Sequence, residues 1–123
     1  MTPIVITVPW DAGTLAPNQR MHHMKKYRLT VGARRTAGLA WIAAGRPRAT
    51  KRVQVDIIIR RARELDADNA VASLKALMDG LFNSSVTPND SPRWVRLGRV
   101  TQEIDAKWKH AETVTFTIRE DSE

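Results

Sequence analysis

Residues 63–82 read R-E-L-D-A-D-N-A-V-A-S-L-K-A-L-M-D-G-L-F, and the architecture can be built outward from their spacing. Val71, Leu74, Met78 and Leu81 recur at intervals of three, four and three, one apolar stripe of an amphipathic helix predicted from about Asp68 to Phe82. At about 100° per residue, Asp68, Lys75 and Asp79 share a second face, away from that stripe. Asp66 and Asp68 stand one residue apart at the helix entrance. Two ordinary explanations are available. An aspartate at a helix start accepts bonds from unpaired backbone N–H groups, and Lys75–Asp79 is an i,i+4 surface pair. Against them, neighbouring carboxylates repel unless a cation or proton lies between. Hard cations such as Mg²⁺ take oxygen ligands, combining one or two carboxylates with water and phosphate oxygens. The D-x-D-N run therefore points to a Mg²⁺ site with Lys75 behind it.

Upstream, Val53, Val55, Ile57 and Ile59 alternate with Gln54, Asp56 and Ile58, a strand apolar enough for the interior of a sheet. Arg60, Arg61 and Arg63 follow, so the strand delivers arginines and carboxylates to one sheet end, where sites in open layers commonly lie. Pro3 to Val8 alternates as a first strand, stopped by Pro9. Asp11 to Thr30 reads as a long basic loop carrying Asn18, Arg20, His22, His23, Lys25, Lys26 and Arg28. It is either a solvated loop or a phosphate-contacting arm, with Tyr27 placed for stacking. Val31 to Ala44 predicts a short helix closed by Gly45 and Pro47, with Trp41 in a core or dimer seam. Asn83 to Pro92 is turn chemistry, in which an isolated Asp90 would be an ordinary turn residue. Trp94–Thr101 and Val114–Ile118 predict the last two strands, with Trp108 as a packing anchor between them and residues 120–123 as a frayed acidic tail. The order is β-α-β-α-β-β: an α+β fold, one mixed sheet with helices packed on it, in a single domain over 1–123.

The 123 residues suffice for one core without staples, and the absence of cysteine removes disulfides and thiolate metal sites. No signal peptide or membrane span is read at the N-terminus, which leads us to expect a cytoplasmic protein. Charge is unevenly spread. Residues 1–63 carry thirteen Lys or Arg against two acids, while residues 64–123 carry seven against eleven. A basic half joined to a cluster of carboxylates suggests chemistry on a phosphate backbone.

Taken together, R-x-R-E-L-D-A-D-N, S-L-K-A-L-M-D-G-L-F and N-D-S-P-R-W-V resemble, in order and near spacing, the RusA family of crossover-junction endodeoxyribonucleases. The early P-N-Q-R after V-P-W is similar to that family's N-terminal loop, and the likeness extends over nearly the whole chain. The spacing from Asn69 to Lys75 looks like the family's phage and prophage branch. The resemblance implies a homodimer that cuts four-way (Holliday) junctions symmetrically in DNA recombination and repair, using Mg²⁺ or Mn²⁺. By position it implies Asp66, Asp68 and Asp90 as metal ligands and Lys75 as the catalytic-face lysine, with Asn69 and Asp79 at recurring positions. Where the family usually shows two consecutive acids before S-P, this chain has Asn89 and then Asp90.

Phosphodiester hydrolysis needs a polarised phosphoryl oxygen, an activated water and a neutralised leaving oxygen, which bound metal can supply. Asn18, Arg20, Lys25, Lys26, Arg28, Arg61, Arg63 and Asn69 are the expected DNA contacts, mainly to backbone and shape. Competing readings are a Mg²⁺ nuclease acting on other branched or flap DNA, an inactive junction-binding module, and a structural or interaction domain.

Overall fold

The computed structural model describes residues 2–13, 23–66, 74–107 and 112–121. Strand β1 (Ile4–Val8) is followed by helix α1 (His23–Ala43), strand β2 (Val53–Arg61), helix α2 (Lys75–Phe82), and strands β3 (Val95–Ile104) and β4 (Thr113–Glu120). The α+β order expected from the sequence is the order found. The strands form one mixed sheet, β1-β4-β2-β3, in which β2 and β3 run parallel and the other pairs antiparallel.

Strand β2 occupies an interior position because it is apolar on one side and tolerably polar on the other. Val53, Val55, Ile57 and Ile59 are fully buried, while Gln54, Asp56, Ile58 and Arg60 line a half-exposed opposite face. The buried row meets Ile6 and Val8 of β1, Val114, Phe116 and Ile118 of β4, and Leu77, Leu81 and Phe82 of α2. Burying each such Leu, Ile or Phe side chain stabilises the fold by roughly 1.5–3 kcal/mol. Parallel β2 and β3 shift register between Val55 and Ile57, where β3 carries an extra residue opposite Asp56. The Asp56 carboxylate accepts the Arg99 N–H at 2.9 Å, a bond that holds its pKa below the ordinary 3.8. Gly98 lies against that carboxylate too closely for any side chain.

Three boundaries differ from those expected. Residues 23–30, read as part of a loop, form the first two turns of α1: straight-chain Met, Lys and Arg favour the helix, and Thr30 bonds back to the Lys26 carbonyl at 2.8 Å. The acidic end is not frayed through Asp121. Glu120 completes β4, and the Asp121 carboxylate is fully enclosed between Arg96 at 3.0 Å and Arg52 at 3.2 Å. Strand β3 continues past Thr101 to Ile104 beside β2. The helix expected from Asp68 is described from Lys75 onward; its expected first turns, Trp108 and the last two residues lie outside the described residues.

At its far end α1 stops at Gly45 (φ +93°), where the Arg46 N–H reaches the Trp41 carbonyl, as in a Schellman ending. Trp41 is half-buried, donates to the Pro47 carbonyl at 2.8 Å, and has the Arg48 guanidinium 5.5 Å from its ring centroid. Helices α1 and α2 meet at Gly80, where an added Cβ would stand 2.5 Å from the Arg34 carbonyl oxygen and 2.9 Å from the Ala37 Cβ. Gly80→Ala should therefore destabilise the fold by about 1–3 kcal/mol in urea unfolding. Gly32→Ala, in the same α1 helix but with no heavy atom within 4 Å of its added Cβ, should stabilise it by about 0.5–1 kcal/mol. Equal effects at the two positions would contradict this account of the helix contact.

Candidate functional site

Lys75 opens α2 and is exposed, while Asp79 follows one turn later on the same side. The opposite side buries Leu77 and Leu81 in the core, which fixes the helix's rotation and thereby where Asp79 points. Its carboxylate is largely enclosed, with 14% of the side chain exposed, and lies 3.5 Å from the Arg34 guanidinium of α1. The segment after α2 folds back tightly. The buried Thr87 hydroxyl sits 3.1 Å from the Phe82 carbonyl and 2.8 Å from that of Asn89. Asn89 turns its side-chain oxygen onto the Ser91 N–H at 3.0 Å, an Asx turn. Asp90 is thereby carried toward Asp79, near enough to bear on its protonation. Burial and then this neighbour push Asp79 above the ordinary aspartate value, against the opposing pull of Arg34 and Lys75.

Asp66 lies on a different approach to the site. It is exposed and directly follows Leu65, whose N–H and C=O are both held by the Gln102 side-chain amide at 2.8 and 2.7 Å. Gln102 thus fixes the backbone entering the D-x-D-N run from a neighbouring parallel strand. Nothing in the local sequence singles it out; only the extension of β3 beyond Thr101 places it there. Arg61, expected at the DNA surface, is instead tied within the protein. Its guanidinium contacts Asp11 at 3.3 Å, Glu112 at 3.4 Å and the Arg63 carbonyl at 3.2 Å, leaving 13% of the side chain exposed. In this group Glu112 is raised, first by its hydrogen bond with Asp11 and then by burial. Burial opposes the downward shift of Asp11, but bonds from Glu112, the Gly13 N–H and Arg61 prevail. Arg63 itself is exposed.

Of the residues expected from sequence, the structure gathers Lys75 and Asp90 with Asp79, and adds Arg34. Lys25, Lys26 and Arg28 stand exposed on the first turns of α1. Asn18, Arg20, Asp68 and Asn69 lie outside the described residues. Among the described residues no three acidic or histidine side chains converge in metal-binding range, so Asp66 does not join Asp79 and Asp90 as a trio. The donor set of the pair is all oxygen, with two carboxyls crowded enough to raise one pKa, and that chemistry suits Mg²⁺. A separate hollow of about 750 Å³ lies on the open sheet face, lined by Gln54, Asp56, Gly98, Arg99, Thr117 and Arg119 among others. Its Asp56 carboxylate is already bonded to Arg99, Gln54 and Arg119.

Among known proteins, neither a family model nor a curated protein matches the chain at a significant level. No helix among the described residues is long and apolar enough to cross a membrane.

The carboxylate pair has a pH consequence of definite sign. Because the folded state holds Asp79 protonated to higher pH than the unfolded chain does, its contribution to stability is full below about 3.8 and is lost as pH rises through its raised value. Removing the neighbouring charge with Asp90→Asn should move the Asp79 titration downward and flatten that part of the stability profile. Carboxyl NMR titration of both forms checks this, and an unchanged Asp79 midpoint would refute the contact.

Proposed function

We propose that the chain is a Mg²⁺-dependent, structure-specific endodeoxyribonuclease that resolves four-way DNA junctions by phosphodiester hydrolysis. The observation that carries this reading is the crowded Asp79–Asp90 pair beside Lys75, at the end of a motif series resembling that of junction resolvases. In this reading Asp66, Asp68 and Asp90 hold Mg²⁺, or Mn²⁺ in its place. A cation held there would supply Lewis-acid polarisation of a phosphoryl oxygen and a more acidic water. Asp79 would be a positioning residue, set beside Asp90 and itself held by Arg34 at 3.5 Å. Lys75, exposed at the first position of α2, would neutralise charge developing on the phosphate.

DNA arms would be held by Lys25, Lys26 and Arg28 on α1, by Arg63, and by Asn18, Arg20 and Asn69. Such contacts go to phosphates and position the junction without reading its bases. Arg61, enclosed between two carboxylates, would act by bracing the backbone that leads to Asp66. Two symmetric cuts require two sites, so the active form would be a homodimer. A cytoplasmic location accompanies this reading.

A second reading, junction binding without cleavage, is favoured by Asn89, which stands where the resembled family usually has a further acid. Synthetic labelled junctions separate the two. In Mg²⁺ the wild type should make paired symmetric nicks in a four-way junction and leave linear duplex and flap controls uncut. Asp68→Asn and Asp90→Asn should each lower cleavage by about 100-fold or more while junction binding persists. Asp79→Asn should lower it by about tenfold or more. Junction affinity without cutting in either Mg²⁺ or Mn²⁺ would overturn the nuclease reading and leave the binding module. Cleavage of flap substrates in preference would transfer the activity to other branched DNA.

A further inference from the structure

Helix α1 is apolar on two sides, and only one of them is used by the fold. Ala33 and Ala37 face the core, fully buried. Of the eight large apolar side chains exposed among the described residues, five belong to this helix, including Tyr27 at 65%, Val31 at 42%, Leu39 at 57% and Ile42 at 45%. By helical geometry Tyr27, Val31 and Ile42 fall within an arc of about 60°, with Gly38 inside it. Arg35, Arg28 and Leu39 occupy the adjoining arc of about 40°, roughly opposite the buried alanines. The outward side thus carries Tyr27 and Val31 toward one end of the 21-residue helix and Leu39 and Ile42 toward the other, with Arg28 and Arg35 alongside. Isolated exposed apolar residues need no explanation, but four on one outward side of a single helix mark an interaction surface.

The charge pattern indicates the partner. Helix α1 contains Lys25, Lys26, Arg28, Arg34 and Arg35 and no acidic residue. Arg34 is engaged with Asp79, whereas Arg28 and Arg35 make no ion pair among the described residues. A second α1 would bring like charges together along the same side. Bare nucleic acid would satisfy the arginines but leave Val31, Leu39 and Ile42 against water. An amphipathic helix with large apolar side chains on one face and carboxylates on its flank satisfies both at once. We infer that the outer face of α1 is a docking site for an acidic amphipathic helix of a partner protein. Such a partner would pack its apolar residues on Tyr27, Val31 and Ile42 and set its acids against Arg35. This inference does not depend on the nuclease reading.

The test uses the full chain, no DNA, and a synthetic helical peptide of about twenty residues, matched to the ~30 Å length of α1. The peptide carries Leu along one face and Glu on the adjoining flank; a scrambled isomer of identical composition is the control. Fluorescence anisotropy should show saturable binding of the amphipathic peptide and at least about tenfold weaker binding of the isomer. Val31→Ser combined with Ile42→Ser, and separately Arg35→Glu, should each weaken binding by about tenfold or more with helicity unchanged by circular dichroism. All three positions are solvent-facing, so the fold does not depend on them. Equal binding of the two peptides would overturn the proposal, since charge alone would then suffice. Two other results would also overturn it. One is self-association, seen by sedimentation and lost in the Val31/Ile42 variant, which would make a second copy the occupant. The other is attachment to phosphatidylglycerol–phosphatidylcholine vesicles with no peptide binding, which would make this side of α1 a lipid-surface element.

Discussion

The candidate site depends on how closely two helices can approach. At Gly80 the backbone of α2 meets the Arg34 carbonyl of α1, at a separation no larger residue would permit. That contact has two chemical consequences. It places the Arg34 side chain beside Asp79, the residue just before the glycine, and it sinks Asp79 far enough for burial to raise its pKa. A wider helix separation would leave Asp79 a solvated acid paired with Lys75 in the ordinary i,i+4 manner. The glycine's lack of a side chain thus sets the electrostatics of its neighbour.

The same economy governs the loop that returns Asp90. Its backbone is organised by short polar side chains bonded to nearby carbonyls and N–H groups: Thr87 to Phe82 and Asn89, Ser85 to Gly80, Asn89 to Ser91. With Asn89 committed to the turn, Asp90 is the acid of the N-D pair that reaches Asp79. An aspartate at position 89 could make the same turn, so asparagine there costs the loop nothing. The departure from the two-acid pattern is therefore absorbed by the turn, and the carboxylate that meets Asp79 is retained.

How much of this was legible follows from range of interaction. Period-two alternation announced β2, β3 and β4, because burial of alternate residues is a local pattern that sheet pairing merely completes. The amphipathic period over residues 74–82 announced α2 for the same reason. The first turns of α1 were missed because Lys25, Lys26 and Arg28 look like solvated loop, and residues 23–30 contain too few apolar positions to show a helical period. Asp121 was missed because what orders it is a pair of arginines, Arg52 and Arg96, far away in sequence. Gln102 and the enclosure of Arg61 are likewise products of sheet register, which no window of sequence contains. Helical spacing put Lys75 and Asp79 on one face, whereas Asp90 stood out only through the family resemblance; that Asp90 comes to Asp79 is a tertiary fact.

The fate of the arginines then bears on what the basic half of the chain can contact. Arg60 and Arg61 lean on Glu103, Asp11 and Glu112, while Arg96 and Arg119 lean on Asp121 and Asp56. Charges spent on internal pairs are weak attractors for a polyanion, since each is already neutralised at short range. On α1 the balance is different: its first turns and outer face present cations with no acid anywhere along the helix. The sheet arginines therefore serve mainly to order the fold's ends and edges, whereas α1 presents cations that no acid of its own helix offsets.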